Sequence, residues 1–187
     1  MGSTVLDMSI SLDGYVAGPN EGPGNGLGDG GDRLHEWFFR NPLEGADAAA
    51  VEEVMATGAV VAGRSTFELA GGWDGDHHDG VPIFILSNRE PGIDVSGWPL
   101  VTYLDDVRTA MARAKEGAGG RDVLVHGVGT TRLALAAGVL DEIQLHVVPV
   151  LLGGGRRLFD GDGPRELEPL RTAEGAGVTH LRYRVGA

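Results

Sequence analysis

The sequence predicts an α/β protein with a mainly parallel central sheet, helices on both faces, and antiparallel strands towards the C-terminus. Short apolar segments recur along the chain, and several are followed by a glycine turn and then by a helix-like segment. Residues 178–185 alternate between apolar and polar side chains, which is typical of a half-exposed antiparallel strand. The length of 187 residues favours a single domain over residues 1–187, given a prior of ~150 residues per domain.

The first predicted strand covers residues 5–12 and ends at the turn Asp13-Gly14. The glycine-rich stretch 18–31 has neither helical nor strand periodicity. We therefore expect a mobile loop there, either a surface insertion or a lid over an active site. Helices are expected at residues 32–40 and 46–56, because both segments are rich in residues that a helix accommodates and Gly58 ends the second.

The middle of the chain predicts alternating strands and helices. Ser65-Thr66-Phe67-Glu68 follows an expected strand at residues 59–62 and has the spacing of a capping box at a helix start. Asp105-Asp106 opens an amphipathic helix that Gly117 can end, since acidic side chains suit a helix N-terminus. The remaining expected elements are strands at 81–86, 100–103, 122–125 and 142–152, and a helix at 131–137 closed by Gly138.

Charge and composition exclude several classes of function. A net charge of −12 opposes binding to nucleic acid or to an anionic membrane. The absence of cysteine excludes disulfides, thiol nucleophiles and cysteine-ligated zinc, and it fits a cytoplasmic location. There is no apolar run of the ~18 residues that cross a membrane, and no signal-peptide pattern at the N-terminus. We expect a small-molecule substrate.

Three predicted strands end in turns suited to binding phosphate. Ligands of open α/β sheets bind at the carboxyl ends of the strands, where helix N-termini stabilise negative charge. Arg64 and Arg89 could hold a 2′-phosphate by bidentate contact, which favours NADPH over NADH. Arg132 replaces the third glycine of a Rossmann fingerprint, so an ordinary Rossmann domain is disfavoured. The three turns are Gly63-Arg64-Ser65-Thr66, Ser87-Asn88-Arg89 and Gly127-Val128-Gly129-Thr130.

A wider set of motifs places these turns in a known context. The motifs are Ser9-Ile10-Ser11-Leu12-Asp13-Gly14-Tyr15-Val16-Ala17, Val61-Ala62-Gly63-Arg64-Ser65-Thr66-Phe67-Glu68, Ile83-Phe84-Ile85-Leu86-Ser87, the Gly127 turn, Gly138-Val139-Leu140-Asp141-Glu142-Ile143, Pro149-Val150-Leu151-Leu152-Gly153-Gly154-Gly155 and Leu158-Phe159. Together they resemble the dihydrofolate reductase superfamily. Within it the chain is most similar to the reductase domain of the bifunctional riboflavin-biosynthesis deaminase/reductase and its stand-alone relatives.

The resemblance implies a dihydrofolate reductase-like domain, a homodimer, and a role for each turn. NADPH would bind at the carboxyl edge of the sheet with its nicotinamide near Ser9, Val16 and Ala17. Residues 63–66 and 127–130 would hold the phosphates, and Ser87, Asn88 and Arg89 would hold the adenosine ribose and its 2′-phosphate. Deaminase activity is not expected, because its zinc chemistry needs cysteines.

A catalytic acid is predicted on the helix expected at residues 32–40. Asp32, His35 and Glu36 are spaced to share one face of an α-helix. Dihydrofolate reductases carry an acid at the start of the corresponding helix, but matching Trp37-Phe38 to their aromatic pair puts its place on Leu34. We expect Glu36 rather than Asp32 to protonate the substrate, since partial burial would favour its protonated form. A solvated helix start is the alternative.

The predicted function is that of an NADPH-dependent reductase. It would transfer hydride to a C=N or C=O carbon of a pyrimidine-like, pterin-like or ribosylamine substrate, as 5-amino-6-(5-phosphoribosylamino)uracil reductase does. Arg156 or Arg157 could bind a substrate phosphate. The alternatives are a dihydrofolate reductase and a non-catalytic nucleotide-binding relative. Residues 74–79 are expected to be a hydrated loop rather than a metal site, and His126 and His146 to be hydrogen-bonded strand histidines.

Overall fold

The computed structural model describes residues 2–161 and 163–186. They divide into two compact units, a first unit of residues up to Leu6 with Met55–Asp141, and a second of Asp7–Val54 with residues from Glu142 onwards. A single domain over residues 1–187 stays a prediction.

The strands are β1 Thr4–Ser11, β2 Tyr15–Ala17, β3 Ala59–Gly63, β4 Ile83–Leu86, β5 Val101–Leu104, β6 Val123–His126, β7 Glu142–Val148, β8 Arg156–Arg157, β9 Leu167–Glu174 and β10 Thr179–Val185. The α-helices are α1 Gly45–Met55, α2 Arg64–Leu69, α3 Val107–Gly117 and α4 Val128–Ala137.

The first unit contains a parallel sheet with the strand order β5-β4-β3-β6-β1. Val61 of β3 pairs with Phe84 of β4 on one side and with Val125 of β6 on the other. Strands β3, β4 and β6 are runs of mostly buried apolar residues, as expected where helices cover a parallel sheet, whereas the edge strand β5 is half-buried. The mainly parallel part of the predicted fold is confirmed.

Helix boundaries in the first unit differ from prediction at two N-termini. The capping box does not form, because α2 begins one residue earlier at Arg64 and Glu68 has other partners. Helix α4 begins three residues earlier than predicted, directly after Gly127, whose φ of 93° is easily adopted by glycine. Helix α3 begins directly after Asp105-Asp106 as predicted, and Asp106 caps it, with Oδ1 accepting from the Thr109 N–H at 2.7 Å.

The second unit contains the antiparallel strands. The strand order is β1-β7-β10-β9, and β10 is antiparallel to both β7 and β9, as predicted for the C-terminal end. Strand β7 ends at Val148, because Pro149 cannot donate to the ladder. The predicted alternation of exposure does not hold along β10: His180 is buried and hydrogen-bonded inside the unit, whereas Leu181 and Tyr183 are only half-buried. Strand β9 was not predicted, because its residues are almost all exposed and its sequence has no apolar alternation.

The α-helix predicted at residues 32–40 is wrong. Only a 3-10 helix, Gly31–Leu34, forms there, followed by turns. The aromatic residues that follow have modest helix propensity, and burial of Leu34 and Trp37 fixes this segment instead. Both side chains lie in a core cluster with Ala50, Val148 and Val178. None of the helices in the described part of the chain has both the length and the apolar character of a membrane span.

Candidate functional site

The turns after β3 and β6 lie against each other in the first unit. Ala62 pairs with His126, so these adjacent parallel strands end at the same edge. A Cβ added at Gly127 would lie 2.4 Å from Thr66 Oγ1, and one added at Gly63 would lie 3.1 Å from Thr130 Oγ1. The two turns form a tight backbone cradle that side chains at either glycine would fill.

The N-terminus of α4 opens this cradle to an anion. Gly127 provides no side-chain cap, which leaves N–H groups of the first turn available for a ligand. Thr130 is 1% exposed, and its Oγ1 has no hydrogen-bond partner among the described residues. Neighbouring Thr131, by contrast, donates from Oγ1 to the Gly127 carbonyl at 2.8 Å. A buried hydroxyl without a partner is costly, which makes Thr130 Oγ1 a candidate donor to a polar ligand.

Arg64 already has a carboxylate partner. Its Nη1 donates to Glu68 Oε2 at 3.0 Å, while Glu68 Oε1 accepts from the Gly92 N–H at 2.7 Å. Tyr103 also faces this carboxylate, and burial together with the Glu68 charge raises the pKa of Tyr103 to about 12. Glu68 therefore compensates the charge that Arg64 would offer to a phosphate.

The turn after β4 lies beside the first two. Leu86 pairs with Gly63, so Ser87 begins where β3 ends. The Ser87 hydroxyl donates to the Arg89 carbonyl at 2.8 Å and accepts from the Arg89 N–H at 3.0 Å. Asn88 and Arg89 are exposed. The structure thus brings the three predicted turns together at one edge of the first unit's sheet.

In the second unit, Ser9, Val16 and Ala17 are buried. Ser9 Oγ accepts a hydrogen bond of 3.0 Å from Trp37 Nε1, which fixes the indole over this end of β1. The predicted acids are placed differently. Asp32 and Glu36 are exposed and do not share an α-helical face, because that helix does not form. Partial burial therefore gives Glu36 no advantage as an acid, and its role stays a prediction.

The loop at residues 18–31 is more ordered than its composition suggests. Its backbone is closed by bonds from the Gly18 N–H to the Leu27 carbonyl at 2.8 Å and from the Asp29 N–H to the Pro19 carbonyl at 2.7 Å. Arg156 Nε also binds Glu21 of this loop at 2.6 Å. Internal hydrogen bonds therefore replace the missing periodicity, while the mobility of the loop stays a prediction. Its position as a lid stays a prediction.

Two groups of histidines lie inside the fold, one around His146 and one around His78. His146 is buried and bonded to Asp7 and His180, as expected of a hydrogen-bonded strand histidine. Sequence reasoning did not single out Asp7, Asp47 or His180. The one signal, for Asp7, was the alternation of Asp7, Ser9 and Ser11 with apolar residues along β1. Near residues 74–79, His78 binds Thr57 Oγ1 at 3.1 Å. In residues 2–161 and 163–186, no three histidine or acidic side chains are arranged to hold a metal ion.

The sequence matches the RibD C-terminal domain family over residues 3–181. No curated protein matches it. A protein from Shewanella sp. PV-4, assigned to riboflavin biosynthesis by its name, is similar in structure. The TM-score is 0.76, the identity is 23%, and 99% of each chain is covered.

Two further solved structures are similar over nearly all of this chain. A dihydrofolate reductase from Enterococcus faecalis, complexed with NADP(H) and RAB-propyl, has a TM-score of 0.66 and 15% identity, with 100% of this chain and 98% of that chain covered. A diaminohydroxyphosphoribosylaminopyrimidine deaminase/5-amino-6-(5-phosphoribosylamino)uracil reductase from Thermotoga maritima has a TM-score of 0.65 and 12% identity, with 99% of this chain and 57% of that chain covered. These structures show that the fold is dihydrofolate reductase-like.

Proposed function

Because the chain belongs to the RibD C-terminal domain family, a family of reductase domains, we propose that it is an NADPH-dependent reductase of a phosphoribosylamino-pyrimidine. The proposed reaction resembles that of 5-amino-6-(5-phosphoribosylamino)uracil reductase, the activity in the name of the Thermotoga relative. We further propose a cytoplasmic homodimer that binds neither nucleic acid nor membranes, in keeping with the net charge of −12.

The observation that carries the proposal is the partnerless hydroxyl of Thr130 at the N-terminus of α4. A pyrophosphate oxygen there would accept from Thr130 Oγ1 and from backbone N–H groups, with the helix dipole favouring its charge. Gly63 and Gly127 leave the space that such a group needs. The donors in this cradle therefore fit a dinucleotide phosphate.

The remaining parts of the cofactor are assigned to residues with suitable chemistry. Ser87, Asn88 and Arg89 would bind the adenosine ribose and the 2′-phosphate. Arg89 is the stronger candidate for that charge, because Glu68 already compensates Arg64. Ser9, Val16 and Ala17 would line the nicotinamide, which supplies the hydride when the cofactor is bound.

Replacement of Thr130 by valine tests the cofactor site. Valine keeps the shape but removes a hydroxyl that has no partner, so the free energy of unfolding should stay constant or rise. Binding of NADPH, measured by fluorescence titration, should weaken. The matched control is Thr131→Val, which breaks the bond to the Gly127 carbonyl and should lower stability. Parental NADPH affinity in Thr130→Val would contradict the assignment.

Turnover separates this function from its alternatives. The protein should oxidise NADPH in the presence of 5-amino-6-(5-phosphoribosylamino)uracil, and more slowly or not at all with dihydrofolate. Preference for dihydrofolate would indicate a folate reductase. Binding of NADPH without turnover of either compound would indicate a non-catalytic relative.

A further inference from the structure

Four buried titratable side chains form one hydrogen-bonded chain through the second unit. Asp47 Oδ1 lies 2.8 Å from His180 Nε2, and His180 Nδ1 lies 2.7 Å from His146 Nδ1. His146 Nε2 in turn lies 3.0 Å from Asp7 Oδ2. We refer to Asp7, His146, His180 and Asp47 as the Asp–His–His–Asp chain.

The three hydrogen bonds fix the number of protons in this chain. Each bond needs one proton, since an ionised carboxylate only accepts and each imidazole nitrogen either donates or accepts. Two neutral imidazoles bring only two protons. A third proton satisfies every bond and gives the chain a net charge of −1. This third proton can shift from one end to the other through three short transfers.

Burying four titratable side chains costs more free energy than burying apolar side chains of the same size. All four residues are at most 8% exposed, and the Trp37 ring packs 4.6 Å from the His146 ring and 5.0 Å from the His180 ring. Burial lowers the pKa of His180, while the hydrogen bond to Asp47 acts in the opposite direction. Apolar residues of similar volume often stabilise a core at least as well, which favours a functional role.

Asp7 is the end at which a proton can leave. Its side chain is 11% exposed, against 4% for Asp47. Asp7 and Ser9 are two positions apart on β1, so their side chains lie on the same face, roughly 7 Å apart. Ser9 is assigned above to the nicotinamide. Asp7 therefore lies next to the place where a substrate would be reduced.

We propose that the Asp–His–His–Asp chain stores the proton for the reduction and that Asp7 donates it to the substrate, which rests on the function proposed above. As hydride adds to the C=N or C=O carbon, the π electron pair moves to nitrogen or oxygen. That atom forms a bond to the proton, and the Asp7 O–H bond breaks. The substrate is reduced, the nicotinamide is oxidised, and the chain passes from a charge of −1 to −2 before it regains a proton from solvent.

Neighbouring groups set the pH at which the third proton is lost. Gln144 Nε2 donates to Asp7 at 3.2 Å, and the positive charge of Arg171 opposes protonation of His180. Asp47→Asn removes one negative charge, but its amide oxygen can still accept from His180. The third proton is then held less tightly. The loss of this proton should move to lower pH in Asp47→Asn.

Histidine-ring NMR tests the chain without cofactor or substrate. The parent should show one slowly exchanging proton shared by the Nδ1 atoms of His146 and His180, and Asp47→Asn should move its titration to lower pH. The matched control is Glu52→Gln, which removes the same charge from an exposed position on α1. It should leave the titration nearly unchanged. Two independently titrating imidazoles in the parent would overturn the proposal even if no variant folds.

Kinetics then test the role of the chain, with NADPH and 5-amino-6-(5-phosphoribosylamino)uracil as the probes. Asp7→Asn should slow turnover by roughly 10²–10⁴-fold with unchanged NADPH affinity. Asp47→Asn should move the alkaline fall of kcat to lower pH. If the parent turns over but its pH profile is unchanged in Asp47→Asn, the role of the Asp–His–His–Asp chain is refuted and the proposed function stands. The same follows if Glu36→Gln loses more turnover than Asp7→Asn does. If the parent shows no turnover, the proposed function is refuted, and the role of the Asp–His–His–Asp chain is refuted with it.

Discussion

Replacement of Gly129 by alanine should stabilise the protein and weaken the binding of NADPH. Gly129 is the second residue of α4 and is exposed, and an added Cβ would meet no atom within 4 Å. Alanine loses less backbone entropy than glycine on entering a helix, so the free energy of unfolding should rise by ~0.5–1 kcal/mol. Denaturation in urea measures this gain.

The same methyl group would stand where the first N–H groups of α4 approach a phosphate. A hydrogen bond to a charged group contributes ~1.5–3 kcal/mol, so loss of one should weaken NADPH binding about tenfold to a hundredfold. Fluorescence titration with NADPH measures this loss. A Gly129→Ala protein that is more stable than the parent and binds NADPH equally well would refute a phosphate site at α4.

Gly127→Ala is the matched contrast on the same turn. Gly127 is buried with a φ of 93°, and its added Cβ would lie 2.4 Å from Thr66 Oγ1. A positive φ combined with a ψ of 144° is adopted almost only by glycine, and it costs another residue ~1–3 kcal/mol before this clash is counted. Gly127→Ala should therefore lose stability, which distinguishes damage to the fold from the selective effect expected at Gly129.

Three other outcomes can be measured directly. Burial raises the pKa of Asp141, but hydrogen bonds from Lys115 and from Thr4 outweigh it and lower that pKa below its ordinary value. Its contribution to stability is therefore present above pH ~3.9 and lost as the pH falls through the lowered pKa, so Asp141→Asn should flatten the acid limb of unfolding free energy against pH. Arg89→Ala should weaken NADPH more than NADH, and by more than Arg64→Ala does; equal losses for both cofactors in parallel titrations would contradict the 2′-phosphate assignment. Amide exchange at Gly18, which is hydrogen-bonded to Leu27, should be slow without any ligand; fast exchange would indicate the mobile lid.

Local sequence patterns were sufficient for the elements that carry the cofactor turns. The strands at β3, β4 and β6 are short β-branched runs, and each turn contains glycine or hydroxyl residues whose conformational preference is local. Parallel strands end at a common edge, so the convergence of the turns could be inferred, whereas the pairing of β3 with β6 that places Gly63 beside Gly127 could not. The same local reasoning failed at residues 32–40, where burial of Trp37 overrides the apparent helical spacing.

The sequence by itself determined the α/β class, the strand-end turns and the family resemblance, because these depend on periodicity and on residues close together along the chain. Only the tertiary structure decided that Glu68 compensates Arg64, that Thr130 is buried without a partner, and that Asp7 and Asp47 are joined through two histidines. His146 and His180 are separated by 34 positions, and Asp7 and His146 by 139. Contacts of that range depend on strand register and burial, which shape the protonation of a group as strongly as its chemical type does.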